Sequence, residues 1–365
     1  MPSSNDTLVK FTRGVPPVES FRPQQLAECA QAALAQHSDV VLQYGLSRGF
    51  PPLRQLIAQE RGIDLNQVIL GQGSLQLQDL CARVLIRPGD TVYAEEPSYD
   101  RALTVLRRAG GQLVGFPLDD DGPDVDEIEA RLKGGERPTL FYIIPDFQNP
   151  SGTVLSAAKR RRIASLAHEY EFWIIEDAPY RRLRYRGKDV PTLYEMAPDR
   201  VLQMSSYSKL ISPGLRVGYV IAPEAIVDKL ARMAEDTYIN ASYLNHAIVY
   251  EYERRGWLEP HIADLKALYT PRLDAMLNAL NKHLTGLATW RKPDGGFFVG
   301  LTLKADVRAQ ELLKRAEQAN VQLTDGRGFF ATCSGDRFVR LPFCALTPPE
   351  IEDGIARLAQ VVRAL

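Results

Sequence analysis

The residues best placed to do chemistry cluster between positions 205 and 219, where Ser205-Ser206-Tyr207-Ser208-Lys209 is followed by Arg216. A lysine amine forms a Schiff base with an aldehyde, and neighbouring hydroxyls and a guanidinium suit a phosphate dianion as donors. A group carrying both an aldehyde and a phosphate, as pyridoxal phosphate does, would engage all of them, with Lys209 as its covalent anchor. Ser206-x-x-Lys209 also fits the S-x-x-K spacing of enzymes with a serine nucleophile. The S-D-N and K-T-G tripeptides that accompany that spacing do not occur in the chain. A lysine in a Ser-rich loop is by itself most often a solvated surface residue, so the weight falls on the elements around it.

Apolar runs enter and leave this loop, Val201-Leu202-Gln203-Met204 before it and Arg216 to Ala222 after it, and read as buried strands. Five more segments of the same texture precede them: Gln67 to Leu70, Thr91 to Ala94, Gln112 to Phe116, Thr139 to Ile144 and Phe172 to Ile175. They alternate with helical patterns and lack clean polar alternation, which predicts an α/β fold: a mostly parallel seven-stranded sheet covered by helices on both faces. Ligands of such sheets bind beyond the carboxyl ends of the strands, where the polar clusters fall: Gly73-Ser74, Pro97-Ser98-Tyr99, Asp146 to Pro150, Glu176 to Tyr180, and the lysine loop. Gly71-Gln72-Gly73-Ser74 before the helix Leu75 to Ile86 is a candidate phosphate cradle. A dinucleotide fingerprint would need glycine at 76, and the chain has Gln76.

After residue 223 long helical patterns take over, Pro223 to Arg255 and Glu259 to His283, and a small α+β segment follows. The expected organisation is a cofactor-binding domain over 41–265 and a smaller domain over 266–365, to which the N-terminal segment 1–40 contributes. The 365 residues suffice for two domains. A hydrophobic share of 45%, a charged share of 24% and a net charge of -1 fit a soluble protein and argue against a nucleic-acid partner. No apolar run reaches the ~20 residues of a membrane span, and the polar N-terminus lacks the pattern of a leader. Cys29, Cys81, Cys333 and Cys344 are scattered, which suggests a reducing, cytoplasmic setting. His37, His168, His246, His261 and His283 show no metal-ligand spacing, so no metal is expected.

Each strand-end residue has an ordinary explanation: Asp177 as a helix cap, Asn149-Pro150 as a turn, Tyr99 as packing, Arg340 as a surface cation. In this order, however, they supply what bound pyridoxal phosphate needs, including a carboxylate to keep the pyridine nitrogen protonated and an aromatic ring to stack. The ordered set resembles a fold-type I pyridoxal-phosphate aminotransferase of the class I/II family. It is most similar to the aminoadipate and kynurenine branch and to effector domains of MocR-type regulators. The likeness runs through Phe11 to Pro16, Leu42 to Gly45, Gly73 to Gln76, Glu96 to Tyr99, Ile144 to Gly152, Asp177 to Tyr180, Ser206 to Arg216, Pro293 to Phe298 and Arg340 to Phe343.

The resemblance implies Lys209 as Schiff-base lysine and proton shuttle, Asp177 as pyridine partner, Asn149 and Tyr180 as donors to the phenolic oxygen, and Tyr99 as stacking ring. Ser74, Leu75 and Gln76, through backbone N–H groups, would hold the phosphate with Ser206, Ser208 and Arg216. Tyr44 would reach the phosphate in a neighbouring subunit, which implies a homodimer with shared sites. Arg340 would clamp the substrate carboxylate, assisted by Asn149 and Gly14, and the Asn149-Pro150 bond is expected to be cis. The implied substrates are an amino acid and a 2-oxo acid. A lyase, decarboxylase or oxidase reaction on the same scaffold, or a non-catalytic sensor, are the alternatives, although a sensor of that type carries a DNA-binding domain ahead of this region.

Departures from the family pattern are Arg13 beside Gly14, Leu75 within Gly73-Ser74-Leu75-Gln76, and Val299-Gly300 after the phenylalanines. The chain also starts close to the first core strand. Arg13 reads either as a solvent-facing cation beside Lys10 or as a partner for the distal carboxylate of an acidic substrate.

Overall fold

The computed structural model describes residues 7–304, 306–332 and 335–365; Cys333 and the polar residues 1–6 lie outside the described residues. Its strands are β1 (Val9–Phe11), β2 (Val68–Gly71), β3 (Thr91–Glu96), β4 (Gln112–Asp119), β5 (Gly122–Pro123), β6 (Leu140–Ile143), β7 (Trp173–Asp177), β8 (Val201–Ser206), β9 (Gly218–Ile221), β10 (Ala288–Trp290), β11 (Phe298–Leu303), β12 (Val321–Leu323) and β13 (Phe338–Pro342). The main sheet has the order β2-β9-β8-β7-β6-β3-β4-β5. Seven of its strands answer to the seven apolar runs. The eighth, β5, is a two-residue ribbon paired antiparallel to the end of β4, and Gly122-Pro123 carries no apolar run that could have signalled it.

β3, β4, β6, β7 and β8 are parallel, and β9 runs against both β8 and β2. The link from β8 to β9, residues 207–217, is too short for a crossover, so β9 returns antiparallel. That return keeps the whole lysine loop at the carboxyl end of β8. Because β2 is antiparallel to β9, its own carboxyl end lies at the same edge, with Gly71 and Ser206 both paired to Gly218.

Both faces of the sheet are buried, as continuous apolar strands require. On one face Leu140, Tyr142, Ile175 and Leu202 pack with Leu77 and Leu80 of the helix Ser74–Leu85 and Leu230 of the helix Glu224–Tyr238. On the other, Phe141, Ile143, Ile174 and Val201 meet Ile163 and Ala167 of the helix Ala157–Glu169 and Val249 of the helix Tyr243–Arg254. Each buried Leu, Ile, Val or Phe side chain contributes about 1.5–3 kcal/mol.

The helical pattern from Pro223 to Arg255 is interrupted: a helix ends at Tyr238, Ile239 has φ 67°, and Ser242 caps the next helix through Asn245 N. The break frees Asn240 to accept from Gly45 N at 3.2 Å, which ties down the loop before Arg48.

β1 pairs in parallel with β12, and Val9 and Phe11 pack with Leu273, Leu280 and Ile355 in a second core under the sheet β10-β11-β13. Cys29 and Ala33 of the helix Pro23–Val41 belong to the core of the large sheet, so the first 40 residues serve two cores. The helix Leu258–His283 joins them, with Leu265 and Tyr269 in the first core and Leu273 and Met276 in the second. No helix among the described residues is long and apolar enough to cross a membrane.

Candidate active site

At the carboxyl edge of the sheet, beneath the extended segment Thr12–Val15, lies a cavity of about 450 Å³. Lys209, in the loop after β8, points into it, and its Nζ donates to Gly14 O at 2.8 Å. Burial lowers the pKa of this ammonium, and the cations of Arg216 and Arg340 act in the same direction. Gly14 must be glycine here, because a Cβ would overlap the Phe298 ring.

One end of the cavity is an anion cradle. Ser74 and Leu75 open a helix whose first turn has no side-chain cap, leaving N–H groups and the positive end of the dipole available. Ser206 Oγ donates to Ser208 Oγ at 2.8 Å, and Arg216 Nη1 reaches Ser208 Oγ at 3.4 Å. Two glycines make this approach possible. Gly73, at φ 84°, leaves no room for a Cβ beside Arg216, and a Cβ on Gly218 would lie 2.7 Å from Ser74 N. Gln76 does not line the cavity; its Oε1 turns back to accept from Gln72 N at 2.7 Å.

Asp177, the last residue of β7, closes the floor. It is buried, Tyr142 donates to its Oδ2 at 2.7 Å, and its Oδ1 has no partner among the described residues. Burial raises this carboxyl to about 6, against the opposing Tyr142 hydrogen bond. A buried carboxylate oxygen without a donor is costly, and a protonated ring nitrogen would satisfy it. Tyr99 and Tyr180 line the same cavity, and burial pushes the Tyr99 hydroxyl up to about 12 and that of Tyr180 well above its ordinary value.

At the mouth, Arg340 of β13 lies between the rings of Phe298 and Phe329, with its guanidinium carbon 5.0 and 4.7 Å from their centroids. Its Nη1 donates to Asn149 Oδ1 at 3.2 Å and its Nη2 to Thr12 O at 2.6 Å, while Nε is buried without a partner among the described residues. Asn149 therefore keeps its amide nitrogen for the cavity. The bond Asn149-Pro150 is cis, as is Glu96-Pro97. The loop that carries Asn149 is held by buried groups: Asp146 pairs with Arg160 at 2.9 Å, and Glu95 accepts from Ile144 N at 2.9 Å. Burial raises Glu95 to about 8, so it is mostly neutral at neutral pH.

Lys209, Asp177, Asn149, Tyr180, Tyr99, Arg216 and Arg340 thus come together around one cavity. Arg13 is exposed at its mouth. Tyr44 stands apart, 75% exposed on the loop that follows the helix Pro23–Val41. Among the lining or supporting residues that went unread in the sequence are Tyr142, Gln78 and Thr324. Tyr142 carries the one hydroxyl of an apolar strand; Gln78 is an amide on the inward face of its helix, its Nε2 buried without a partner among the described residues; Thr324 Oγ1 donates to Thr12 O at 2.8 Å. The first two were signalled only as polar atoms in otherwise apolar patterns.

The set of a buried amine, an anion cradle and an unpartnered carboxylate oxygen fits pyridoxal 5'-phosphate. The family model for aminotransferase class I and II matches residues 6–358. Aromatic-amino-acid aminotransferase 1 of Thermococcus litoralis is 34% identical over 98% of this chain and 88% of its own length. The multiple substrate aminotransferase from Thermococcus profundus superposes with a TM-score of 0.94 at 32% identity, covering 100% of this chain and 92% of that one. The alpha-aminoadipate aminotransferase from Thermus thermophilus, complexed with N-(5'-phosphopyridoxyl)-L-leucine, gives a TM-score of 0.92 at 31% identity, covering 98% of this chain and 92% of that one. A match of this extent, carried by sequence and by fold alike, means that the chain belongs to the class I and II aminotransferases.

Proposed function

We propose the following roles for this chain's residues in the reaction it shares with its family, amino transfer between an amino acid and a 2-oxo acid on pyridoxal 5'-phosphate. The observation that carries the reading is the meeting of Lys209 Nζ, the free Oδ1 of Asp177 and the guanidinium of Arg340 around one cavity. When bound, pyridoxal phosphate supplies the electron sink that lets a bond at the substrate α-carbon ionise.

Lys209 would anchor the cofactor covalently. Once the substrate's amino group takes its place on the cofactor, the released amine of Lys209, its pKa lowered by burial, would be the base that removes the proton from the substrate α-carbon. Asp177 would hold a proton at the ring nitrogen through Oδ1. Asn149 and Tyr180 would donate to the phenolic oxygen, and Tyr99 would stack on the ring. Ser74 and Leu75 through their N–H groups, with Ser206, Ser208 and Arg216, would bind the phosphate, and Gln76, which does not line the cavity, would not. Arg340 exchanges its bond to Thr12 O for the substrate carboxylate, with Asn149 and the Gly14 backbone beside it. Phe298 and Phe329, packed on the guanidinium, keep water from it. Arg13 meets the distal carboxylate of an acidic substrate, which makes a dicarboxylic amino acid and its oxo acid one substrate pair.

A homodimer completes the site. Leu42, Tyr44 and Leu46 are exposed on one loop, and Gly45 of that loop is bonded to Asn240, next to the exposed Ile239. Together they form an apolar surface suited to a second copy of the chain, from which Tyr44 reaches the partner's phosphate. We also divide the chain into a large unit over 41–265 and a small one over 266–365, the β1 segment joining the second. The buried free thiols of Cys29, Cys81 and Cys344 suit a reducing cytoplasm.

The test is Lys209→Ala. It should keep the fold and abolish turnover, because anchor and base are lost together; near-native transamination by this variant would refute the assignment.

A further inference from the structure

Tyr142 has no part in the roles above, yet it holds the residue on which the cofactor's ring depends. It lies in β6, paired to Ile175 of β7, so Asp177 is two residues further along on the same face of the sheet. Hydroxyl and carboxylate are both buried, and the 2.7 Å bond from Tyr142 to Asp177 Oδ2 is the one hydrogen bond this carboxylate receives among the described residues. Tyr99 and Tyr180 share the cavity with Asp177 but donate nothing to it. A carboxylate turns about χ2 with broad, two-fold preference, so without an anchor either oxygen, at a range of angles, could face the cavity.

We propose that Tyr142 is a positioning residue: by engaging Oδ2 it fixes the plane of the Asp177 carboxylate and leaves Oδ1 as the single acceptor offered to the pyridine nitrogen. The inference rests on the reading of Asp177 as the pyridine partner. The bond also favours the ionised carboxyl against the burial that opposes it, so losing it weakens the grip on a protonated ring nitrogen in two ways, through angle and through charge.

The experiment compares Tyr142→Phe with the wild type in the full-length protein. Dissociation constants are measured for pyridoxal phosphate and for its analogue with carbon in place of the ring nitrogen. Tyr142→Phe should weaken pyridoxal phosphate binding about tenfold or more, the loss of one hydrogen bond to a charged group. The analogue cannot use Oδ1 and should change by less than about twofold. In an Asp177→Asn background, Tyr142→Phe should cost pyridoxal phosphate no further affinity. Equal weakening of both ligands would mean general damage to the pocket and would overturn the proposal, as would an unchanged affinity for pyridoxal phosphate. A wild-type protein that binds the two ligands equally well would instead remove the Asp177 reading itself.

Discussion

Replacing Asp177 by Asn should stabilise the cofactor-free protein and fail to stabilise the loaded one. The carboxyl is buried on the floor of the cavity and titrates at about 6 rather than its ordinary 3.8. Holding it ionised in the folded state therefore costs about 3 kcal/mol at neutral pH, at 1.36 kcal/mol per unit. Because the folded value is the higher one, this cost is absent below about pH 4, has reached roughly half at pH 5 and is complete above about pH 7. Asn keeps the acceptor for Tyr142 and removes the charge. The amide nitrogen of Asn then stands unpartnered where Oδ1 was and costs about 1 kcal/mol or more, so the expected gain for the variant without cofactor is up to about 2 kcal/mol at pH 7.5, or up to about 3 °C in Tm for a chain of this size, shrinking as the pH is lowered. With saturating pyridoxal phosphate the wild-type carboxylate gains its cationic partner, and each tenfold loss of affinity in the variant removes about 1.4 kcal/mol of ligand-derived stability. The gain should vanish or reverse. Thermal melts of both proteins, with and without cofactor at pH 5 and 7.5, test this directly. An equal gain with and without cofactor would refute the contact between Asp177 and the ring, and the same stability difference at pH 5 and 7.5 without cofactor would refute the burial argument.

Gln78→Leu removes a buried amide nitrogen that has no partner among the described residues, so the cofactor-free protein should gain about 1–3 kcal/mol in a urea melt; a loss would show that the amide is satisfied in solution. Arg13→Ala should raise KM about tenfold for an acidic substrate and leave a neutral one unaffected, and equal effects on both would return Arg13 to a surface role. Tyr44→Phe should weaken pyridoxal phosphate binding by about 1.5–3 kcal/mol, one charge-assisted hydrogen bond, in a protein that sediments as a dimer; a fully active monomer would contradict the shared site.

What could be read from the order of residues alone was whatever a short stretch of chain decides for itself. Lys209 between two apolar runs, Asp177 at the end of another and Asn149-Pro150 after a third are local statements. A parallel sheet sends the carboxyl ends of its strands to one edge, so these residues had to converge. The resemblance of the ordered motifs added the roles. Tertiary structure decided what depends on residues far apart in the chain. Gly14 and Lys209 are joined across 195 positions, and Arg340 and Thr12 across 328; such contacts follow from the pairing of β1 with β12 and of β11 with β13, not from anything local to either residue. Tyr142 and Gln78 were hidden because the patterns around them are apolar, and a hydroxyl or an amide there gains meaning only from what faces it. The break at Ile239 escaped the helical periodicity because apolar residues continue through it, while Ser242 and the bond from Gly45 to Asn240 reset the backbone. Spacing along the chain sets which side chains share a strand end or a helix face, and packing sets which buried polar atom finds a partner and which, like Oδ1 of Asp177, is left to wait for one.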